Sequence, residues 1–229
     1  MKKIAVLGAL PMELETFWGS IQDRRTEHWG TIDLQLGCIG TKDVVSFATG
    51  IGKVRAAAGA QFAIDCYFPT ALIFIGAAGS LNPKYKPGKI IVGQTIVEYD
   101  FDIYPLAAKE NRYVEEFHPD SKLSQIALAA CQKVVGDDQV LAGKILTGDQ
   151  VIMEADKREQ LRQLFGGDCA EMEAVAVAKV CVQNQVPYSI IRILSDSADQ
   201  NTYVHFDAML DVIKTDVDQI LHEILRQDL

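Results

Sequence analysis

Apolar runs of strand length alternate with segments of helical period along most of the chain. Residues 3–9 and 70–81 are continuous β-prone runs that end in glycine or other small residues, and a glycine turn at 50–52 precedes an alanine-rich amphipathic segment. Strands that are apolar at consecutive positions are typical of sheets buried on both faces. Their alternation with helices predicts a largely parallel or mixed sheet between two helical layers.

The rest of the chain extends this arrangement without a linker, a repeat or a low-complexity segment. Alternating runs at 33–40 and 43–50 predict a hairpin, and residues 104–119 have no clean period and predict a long loop. We therefore expect one domain over residues 1–229, an α/β three-layer α/β/α sandwich with a central mixed, mostly parallel sheet. Further strands are predicted at 88–102, 140–152 and 188–196, and helices at 12–21, 121–135, 156–165, 207–226 and directly after the acids at 171 and 173.

Charge and cysteine usage narrow the class of partner. Against 22 basic residues stand 31 acidic ones, for a net charge of −9, which disfavours nucleic acid and anionic membranes and suits a small neutral or cationic ligand. The five cysteines show no CxxC spacing, as expected for reduced thiols in a cytoplasmic protein. The first apolar run is too short for a signal peptide, and no run reaches the ~18 residues of a membrane helix.

Ligands of such sheets bind at the carboxyl ends of the strands, so the candidate chemistry lies at the strand exits. Three of five exits carry the candidate acids: Glu13 after the first strand, Glu171 and Glu173 before the late helix, and Asp196 with Asp199 after the strand at 188–196. The exits at 76–81 and 148–152 offer backbone amides and carbonyls to a flat ligand. The four histidines show no metal spacing and no nucleophile elbow is present, so we expect no metal and no cofactor.

Several carboxylates around one cavity suit the cleavage of a glycosidic bond. The transition state resembles an oxocarbenium ion, which nearby anions stabilise, while one acid protonates the leaving group and another positions water. Glutamate also suits a sugar diol, since its two oxygens accept two hydroxyl donors.

Six motifs in this order carry a resemblance to a known family: GALPMELE, TGIGKVRAAAG, FIGAAGSL, TGDQVI, AEMEAVAVAKVC and IIRILSDSAD. The set, which spans about residues 3–210, resembles the 5′-methylthioadenosine/S-adenosylhomocysteine nucleosidases of the nucleoside phosphorylase/hydrolase superfamily. The resemblance implies a nucleoside phosphorylase-like fold, a homodimer, and hydrolysis of a 5′-substituted adenine nucleoside to adenine and the free 5′-substituted ribose.

The same resemblance implies a role for each matching position. Asp196 would be the general acid that protonates the adenine ring at N7, held in place by Ser195, and Glu13 would position the attacking water. Glu173, with Met172, would hold the ribose hydroxyls. Further contacts are implied for Arg192 with the neighbouring acids, for the Ile152 backbone with the adenine edge, for Ala78 and Gly79 in the adjacent loop, and for Phe206 against the sugar or base.

Simpler interpretations exist for most of these residues. Glu13 and Glu173 could be acids that favour a helix N-terminus, and Asp196 could be a turn or cap residue. Arg192 is more telling, because a buried guanidinium in an apolar strand needs an acid. By default Phe206 is a core aromatic, Asp199 is structural, and Glu171 is a cap, a surface acid or a support for other site residues.

Related activities remain open at this point. A phosphorylase needs converging cations for phosphate; the exits at 8–13 and 76–81 lack arginine, and Arg55 is expected at the surface or facing a partner. The sequence thus favours water over phosphate. A non-catalytic nucleoside binder would be expected to lose Glu13 or Asp196. Residues 100–120 depart from the loop typical of the family, so the 5′-substituent stays open between methylthio, homocysteinyl, a futalosine-type group and none.

Overall fold

A computed structural model describes residues 2–101, 114–196 and 202–229, with side chains from residue 207 onward in the last range. Ten strands and six helices occur in these ranges. The strands are β1 Lys3–Gly8, β2 Gln22–Trp29, β3 Ile32–Ile39, β4 Lys42–Ala48, β5 Ala71–Ser80, β6 Ile90–Glu98, β7 Glu116–Phe117, β8 Val140–Thr147, β9 Cys169–Glu171 and β10 Tyr188–Asp196. The helices are α1 Pro11–Ser20, α2 Lys53–Tyr67, α3 Ser121–Val135, α4 Ala155–Phe165, α5 Ala174–Asn184 and α6 Thr202–Leu225.

The strands form one mixed sheet that closes on itself at one end. Strands β4, β1, β5 and β10 run parallel to their neighbours, as do β6, β8 and β9, whereas β2–β3–β4 is an antiparallel meander. Antiparallel pairings of β10 with β6 and of β5 with β9 join the two parallel groups into a ring. Bulges between Gly93 and Thr95 and between Leu194 and Asp196 add the local bend that such closure requires.

Helices cover both faces, so the predicted α/β/α sandwich is confirmed. Alternate residues of β1 enter opposite cores: Ala5 and Leu7 pack with α2 and α5, whereas Ile4 and Val6 pack with α1, α3 and α6. This alternation follows from the two-residue period of a strand, and it explains why the run is apolar at every position. A smaller core lies under α4. Among the described residues, no helix has the length and apolar character needed to cross a membrane.

Three details differ from the sequence-based expectation. The strand β2 was not expected, because its sequence QDRRTEHW is almost entirely polar; it is an exposed edge strand with no face to bury. Strand β5 continues through the small residues up to Ser80 instead of ending before them. The first of the two acids before α5, Glu171, is the last residue of an unexpected short strand, β9. Most of the expected loop at 104–119 lies outside the described residues.

Candidate active site

The carboxyl ends of three neighbouring parallel strands bring the predicted residues to one edge of the sheet. The pairing of β1 with β5 places Leu7 beside Phe74, directly before the loop that leads to Glu13. The pairing of β5 with β10 sets Gly76 opposite Arg192 and Gly79 opposite Asp196. The strand-exit prediction is therefore confirmed for these positions.

Glu13 lies in the first turn of α1, and three backbone amides fix its carboxylate. Its Oε2 accepts hydrogen bonds from the amides of Ala9 (3.1 Å) and Leu10 (2.8 Å), and its Oε1 accepts one from Ala77 (2.8 Å). The interpretation of Glu13 as a first-turn acid is thus correct but incomplete, because the Ala77 amide comes from a different element, β5. Burial raises the pKa of Glu13 despite these amides and the nearby Arg192 guanidinium.

Glycine at position 76 leaves room for this carboxylate. A Cβ atom at residue 76 would lie 2.7 Å from Glu13 Oε1 and 3.0 Å from Glu13 Cδ, closer than van der Waals contact allows. The exit at 76–81 therefore accommodates Glu13 in two ways: Gly76 has no side chain to clash with the carboxylate, and the Ala77 amide donates a hydrogen bond to it.

Arg192 and Glu171 form a buried ion pair beneath the site. Arg192 Nη2 lies 2.6 Å from Glu171 Oε2, the Arg192 side chain is 1% exposed, and its guanidinium packs 4.6 Å from the centre of the Phe74 ring. The expectation that this arginine neutralises nearby acids is confirmed. Burial alone would lower the pKa of Arg192, but the negative charges of Glu171 and Glu173 raise it by more. The guanidinium is therefore cationic throughout the useful pH range.

The side chain of Glu171, and not that of Glu173, accepts hydrogen bonds from the free backbone amides at the N-terminus of α5. The Glu171 carboxylate accepts hydrogen bonds from the amides of Glu173 (3.0 Å) and Ala174 (2.8 Å) and from the Thr147 hydroxyl (2.5 Å). The cap and support interpretations of Glu171 are therefore both correct, whereas the surface interpretation is wrong because the residue is buried. The sequence did not distinguish the two acids by cap geometry, since either one precedes the helix.

Glu173 is the N-cap residue of α5, but its side chain makes no cap hydrogen bond. Its Oε1 instead accepts the Gly52 amide at 2.9 Å, and its Oε2 lies 4.0 Å from Arg192 Nη2. Burial raises the pKa of Glu173, and the neighbouring Glu171 carboxylate raises it further. Glu173 therefore lies at a helix N-terminus, as the simpler interpretation expects, but its side chain does not cap α5 and keeps acceptor capacity beyond its single hydrogen bond to the described residues.

Ser195 and Asp196 form a buried pair at the end of β10. Ser195 Oγ donates a 2.6 Å hydrogen bond to Asp196 Oδ2, and the same hydroxyl lies 3.4 Å from the Ala78 carbonyl oxygen. The bulge at this point interrupts the pairing with β5, and such bulges redirect side chains near active sites. The arrangement fixes one carboxylate oxygen of Asp196 and thereby orients the other.

The remaining predicted residues surround these acids in different ways. Ala78 is buried and Gly79 half-buried in β5, and Gly79 also pairs with Ala170 of β9. Met172 is half-buried between the two glutamates. The Ile152 side chain belongs to the small core under α4, which leaves only its backbone for a ligand. The Phe206 side chain and Asp199 lie outside the described residues.

Acidic side chains outnumber basic ones in the site. Three buried acids (Glu13, Glu171 and Glu173) lie near one guanidinium, and Asp196 lies at the end of β10. Such a site favours a cationic ligand or a cationic transition state over an anion. Within the described ranges, no group of three or more His, Cys, Asp or Glu residues could hold a metal ion.

Comparison with known proteins agrees with this geometry. Residues 3–226 match the profile of the phosphorylase superfamily. The chain is 32% identical to a 5′-methylthioadenosine/S-adenosylhomocysteine nucleosidase of Hydrogenovibrio crunogenus, over 97% of each chain. It is 30% identical to an aminodeoxyfutalosine nucleosidase of Campylobacter jejuni, over 90% of this chain and 91% of the relative.

A solved structure shows the same fold. The 5′-methylthioadenosine/S-adenosylhomocysteine nucleosidase of Neisseria meningitidis, in complex with methylthio-immucillin-A, superposes with a TM-score of 0.91 at 28% identity over 99% of each chain. The expected nucleoside phosphorylase-like fold is thereby confirmed. From its sequence, its fold and its relatives, this chain belongs to the phosphorylase superfamily and, within it, to the 5′-methylthioadenosine/S-adenosylhomocysteine nucleosidase family.

Proposed function

We propose that this protein hydrolyses the N-glycosidic bond of a 5′-substituted adenine nucleoside, 5′-methylthioadenosine and/or S-adenosylhomocysteine, and releases adenine and the free 5′-substituted ribose. The observation that carries the proposal is the pair of buried, differently held acids on either side of β5: three amides hold Glu13 after β1, and a serine hydroxyl holds Asp196 at the end of β10. Two carboxyl groups in distinct environments can act in the distinct acid and water-positioning roles that glycosidic cleavage requires.

In the proposed reaction, Asp196 donates a proton to N7 of adenine as the bond between C1′ and N9 breaks. The bonding electron pair leaves with the base, and positive charge develops on the ribose ring. Glu13 orients a water molecule below C1′ and accepts a proton from it as the new C–O bond forms. Its raised pKa makes Glu13 a better proton acceptor than an ordinary carboxylate.

Recognition of the substrate is proposed to follow the same geometry. Glu173 and Met172 would bind the ribose hydroxyls, since Glu173 retains acceptor capacity on a buried carboxylate. Arg192 would hold the acids in place. The backbone of Ile152 and the Ala78–Gly79 segment would contact adenine, and Phe206 would pack on the sugar or base.

Charge distinguishes hydrolysis from phosphorolysis. Arg192 is the cation beside Glu13, and Glu171 already neutralises it. Arg55 is exposed, as expected, and lines a cleft of about 540 Å³ together with the loop at 9–11 and residues of β3. The Glu13 carboxylate would therefore repel a phosphate placed beside it, whereas a neutral water molecule would not be repelled.

One assay separates the candidate functions. Purified protein is incubated with methylthioadenosine, S-adenosylhomocysteine, adenosine, inosine and aminodeoxyfutalosine, with and without phosphate, and free base is measured. We expect adenine release without phosphate from the first two substrates. Strict dependence on phosphate would refute hydrolysis, and no base from any substrate would indicate a binder. Preference for aminodeoxyfutalosine would assign the activity of the Campylobacter jejuni relative instead.

We also propose a cytoplasmic homodimer that takes part in methionine salvage. The dimer rests on the family alone. Sedimentation at micromolar concentration tests it, and a monomer there would count against it.

A further inference from the structure

We propose that Lys53 is a positioning residue for the ribose-binding carboxylate: its ammonium joins three loops and thereby holds the Gly52 amide against Glu173. The inference rests on the proposed function, because it assigns Glu173 to the ribose. Lys53 itself does not contact the reacting atoms in this proposal and acts through the Gly52 backbone amide.

The Lys53 ammonium binds acids from separate elements. Its Nζ lies 2.7 Å from Glu98 Oε1 at the end of β6, 2.8 Å from Asp100 Oδ1 just beyond it, and 3.3 Å from Asp149 Oδ2 after β8. The Lys53 side chain is only 19% exposed, so solvent screens these contacts less than it screens a surface pair. One side chain thus connects the start of α2 with the exits of two strands.

Backbone hydrogen bonds turn this cluster into a connection between loops. Asp100 Oδ2 accepts the Asp149 amide at 2.7 Å, while the Lys53 amide donates to Asp149 Oδ1 at 3.4 Å. Asp100 therefore bridges the Lys53 ammonium and the loop at 148–152, whose backbone is proposed to contact adenine. Both the base side and the ribose side of the site are tied to the same lysine.

Gly52 is the link from Lys53 to Glu173. It precedes Lys53 directly, its φ is +98°, and its amide donates the 2.9 Å hydrogen bond to Glu173 Oε1. A glycine at positive φ has several accessible conformations, so its amide direction depends on how its neighbours are held. The next residue, Lys53, is held through both its amide and its ammonium. This keeps the Gly52 amide directed at the Glu173 carboxylate.

Charge explains why a lysine is needed at this point. Glu98, Asp100 and Asp149 repel one another without it, and Lys179 contacts only Glu98 among them. Burial lowers the pKa of Lys53, but hydrogen bonds to Asp100 and Glu98 raise it more, so the ammonium persists at alkaline pH. Loss of the ammonium would separate the loops and withdraw the Gly52 amide, the hydrogen-bond donor that holds Glu173 Oε1 in place.

The test compares Lys53→Met with Lys133→Met on two substrates. Lys133 is a matched control because its Nζ lies 2.6 Å from a glutamate, Glu223, between α3 and α6 in the outer helical layer. Methylthioadenosine and its 2′-deoxy analogue are the substrates. We expect Lys53→Met to lower kcat/KM for methylthioadenosine by about tenfold, but that of the deoxy analogue by less than about threefold, since the analogue lacks a hydroxyl that Glu173 accepts.

The control and a conservative variant complete the design. Lys133→Met should match the wild type on both substrates, and Lys53→Arg should recover part of the loss because it restores the charge. Equal losses of Lys53→Met on both substrates, or no loss, would overturn the proposal.

A milder variant covers a folding failure. If Lys53→Met does not fold by circular dichroism, Asp149→Asn replaces it: the amide keeps an acceptor for the Lys53 N–H but loses the charge. The same selectivity for the hydroxylated substrate is expected at smaller size, and wild-type kinetics on both substrates would overturn the inference. A wild-type protein that releases no base would overturn the proposed function and this inference together, whereas an active wild type with an unaffected Lys53→Met overturns the inference alone.

Discussion

A single methyl group at residue 76 should displace the carboxylate proposed to position water. In Gly76→Ala the new Cβ would lie 2.7 Å from Glu13 Oε1, 3.0 Å from Cδ and 3.1 Å from Oε2. Comfortable carbon contacts begin at about 3.5 Å, so the carboxylate has to move by roughly 0.5–1 Å. The side chain cannot yield freely, because backbone amides bind both of its oxygens.

The displacement sets the size of the expected effect. Moving Oε1 away lengthens its 2.8 Å bond to the Ala77 amide beyond hydrogen-bonding range. A hydrogen bond to a charged group contributes about 1.5–3 kcal/mol, and a reacting group misplaced by about 1 Å can lower the rate by a factor of about 100. We expect Gly76→Ala to lower kcat by roughly 30- to 100-fold, with a smaller change in KM because Glu13 acts on water and not on the nucleoside.

The matched control is Gly19→Ala in the same helix, α1. Gly19 is exposed, and a Cβ there meets nothing within 4 Å. Alanine in a helix is about 0.5–1 kcal/mol more favourable than glycine, so this variant should melt slightly higher and turn over normally.

Steady-state adenine release and thermal denaturation of both variants decide the question. A Gly76→Ala protein that folds and turns over at the wild-type rate would refute the assignment of Glu13 as the residue that positions water. A loss in Gly19→Ala of similar size would show that the assay reports on α1 as a whole and not on the carboxylate.

Three further outcomes follow from the same geometry. Asp196→Asn should keep the fold but lose orders of magnitude in kcat, and Ser195→Ala should lose less; near-wild-type turnover of Asp196→Asn would exclude it as the general acid. The raised pKa of Glu173 means that the stability it contributes is present below its ordinary pKa of 4.5 and lost as the pH rises through the higher folded value. The melting temperature of Glu173→Gln should therefore exceed that of the wild type by an amount that grows from about pH 5 to about pH 8. Thermal denaturation at several pH values measures this difference, and a difference that stays constant with pH would contradict the raised pKa. Arg192→Met leaves Glu171 buried without its cation and should lower the free energy of unfolding by about 3–5 kcal/mol at neutral pH, measured in urea; a loss below about 1 kcal/mol would show that the pair contributes little.

The sequence by itself determined the layer architecture and the location of the site. Consecutive apolar positions in β1 and β5 can only be buried on both faces, which requires helices on both sides of the sheet. Strand ends that share one sheet edge bring Glu13 and Asp196 together whatever the loop details, so acids at those ends were identifiable as a set. The polar strand β2 escaped detection because an edge strand in solvent needs no apolar pattern.

Only the tertiary structure decided which partners hold each acid. Glu171 and Glu173 are two residues apart and equally acidic in sequence, yet one meets Arg192, Thr147 and the start of α5 while the other meets Gly52. Those partners come from elements up to 121 residues away along the chain, so no local pattern encodes them. The environments of the carboxylates depend on long-range hydrogen bonds and shared burial, which arise only when the strand ends and the start of α2 converge.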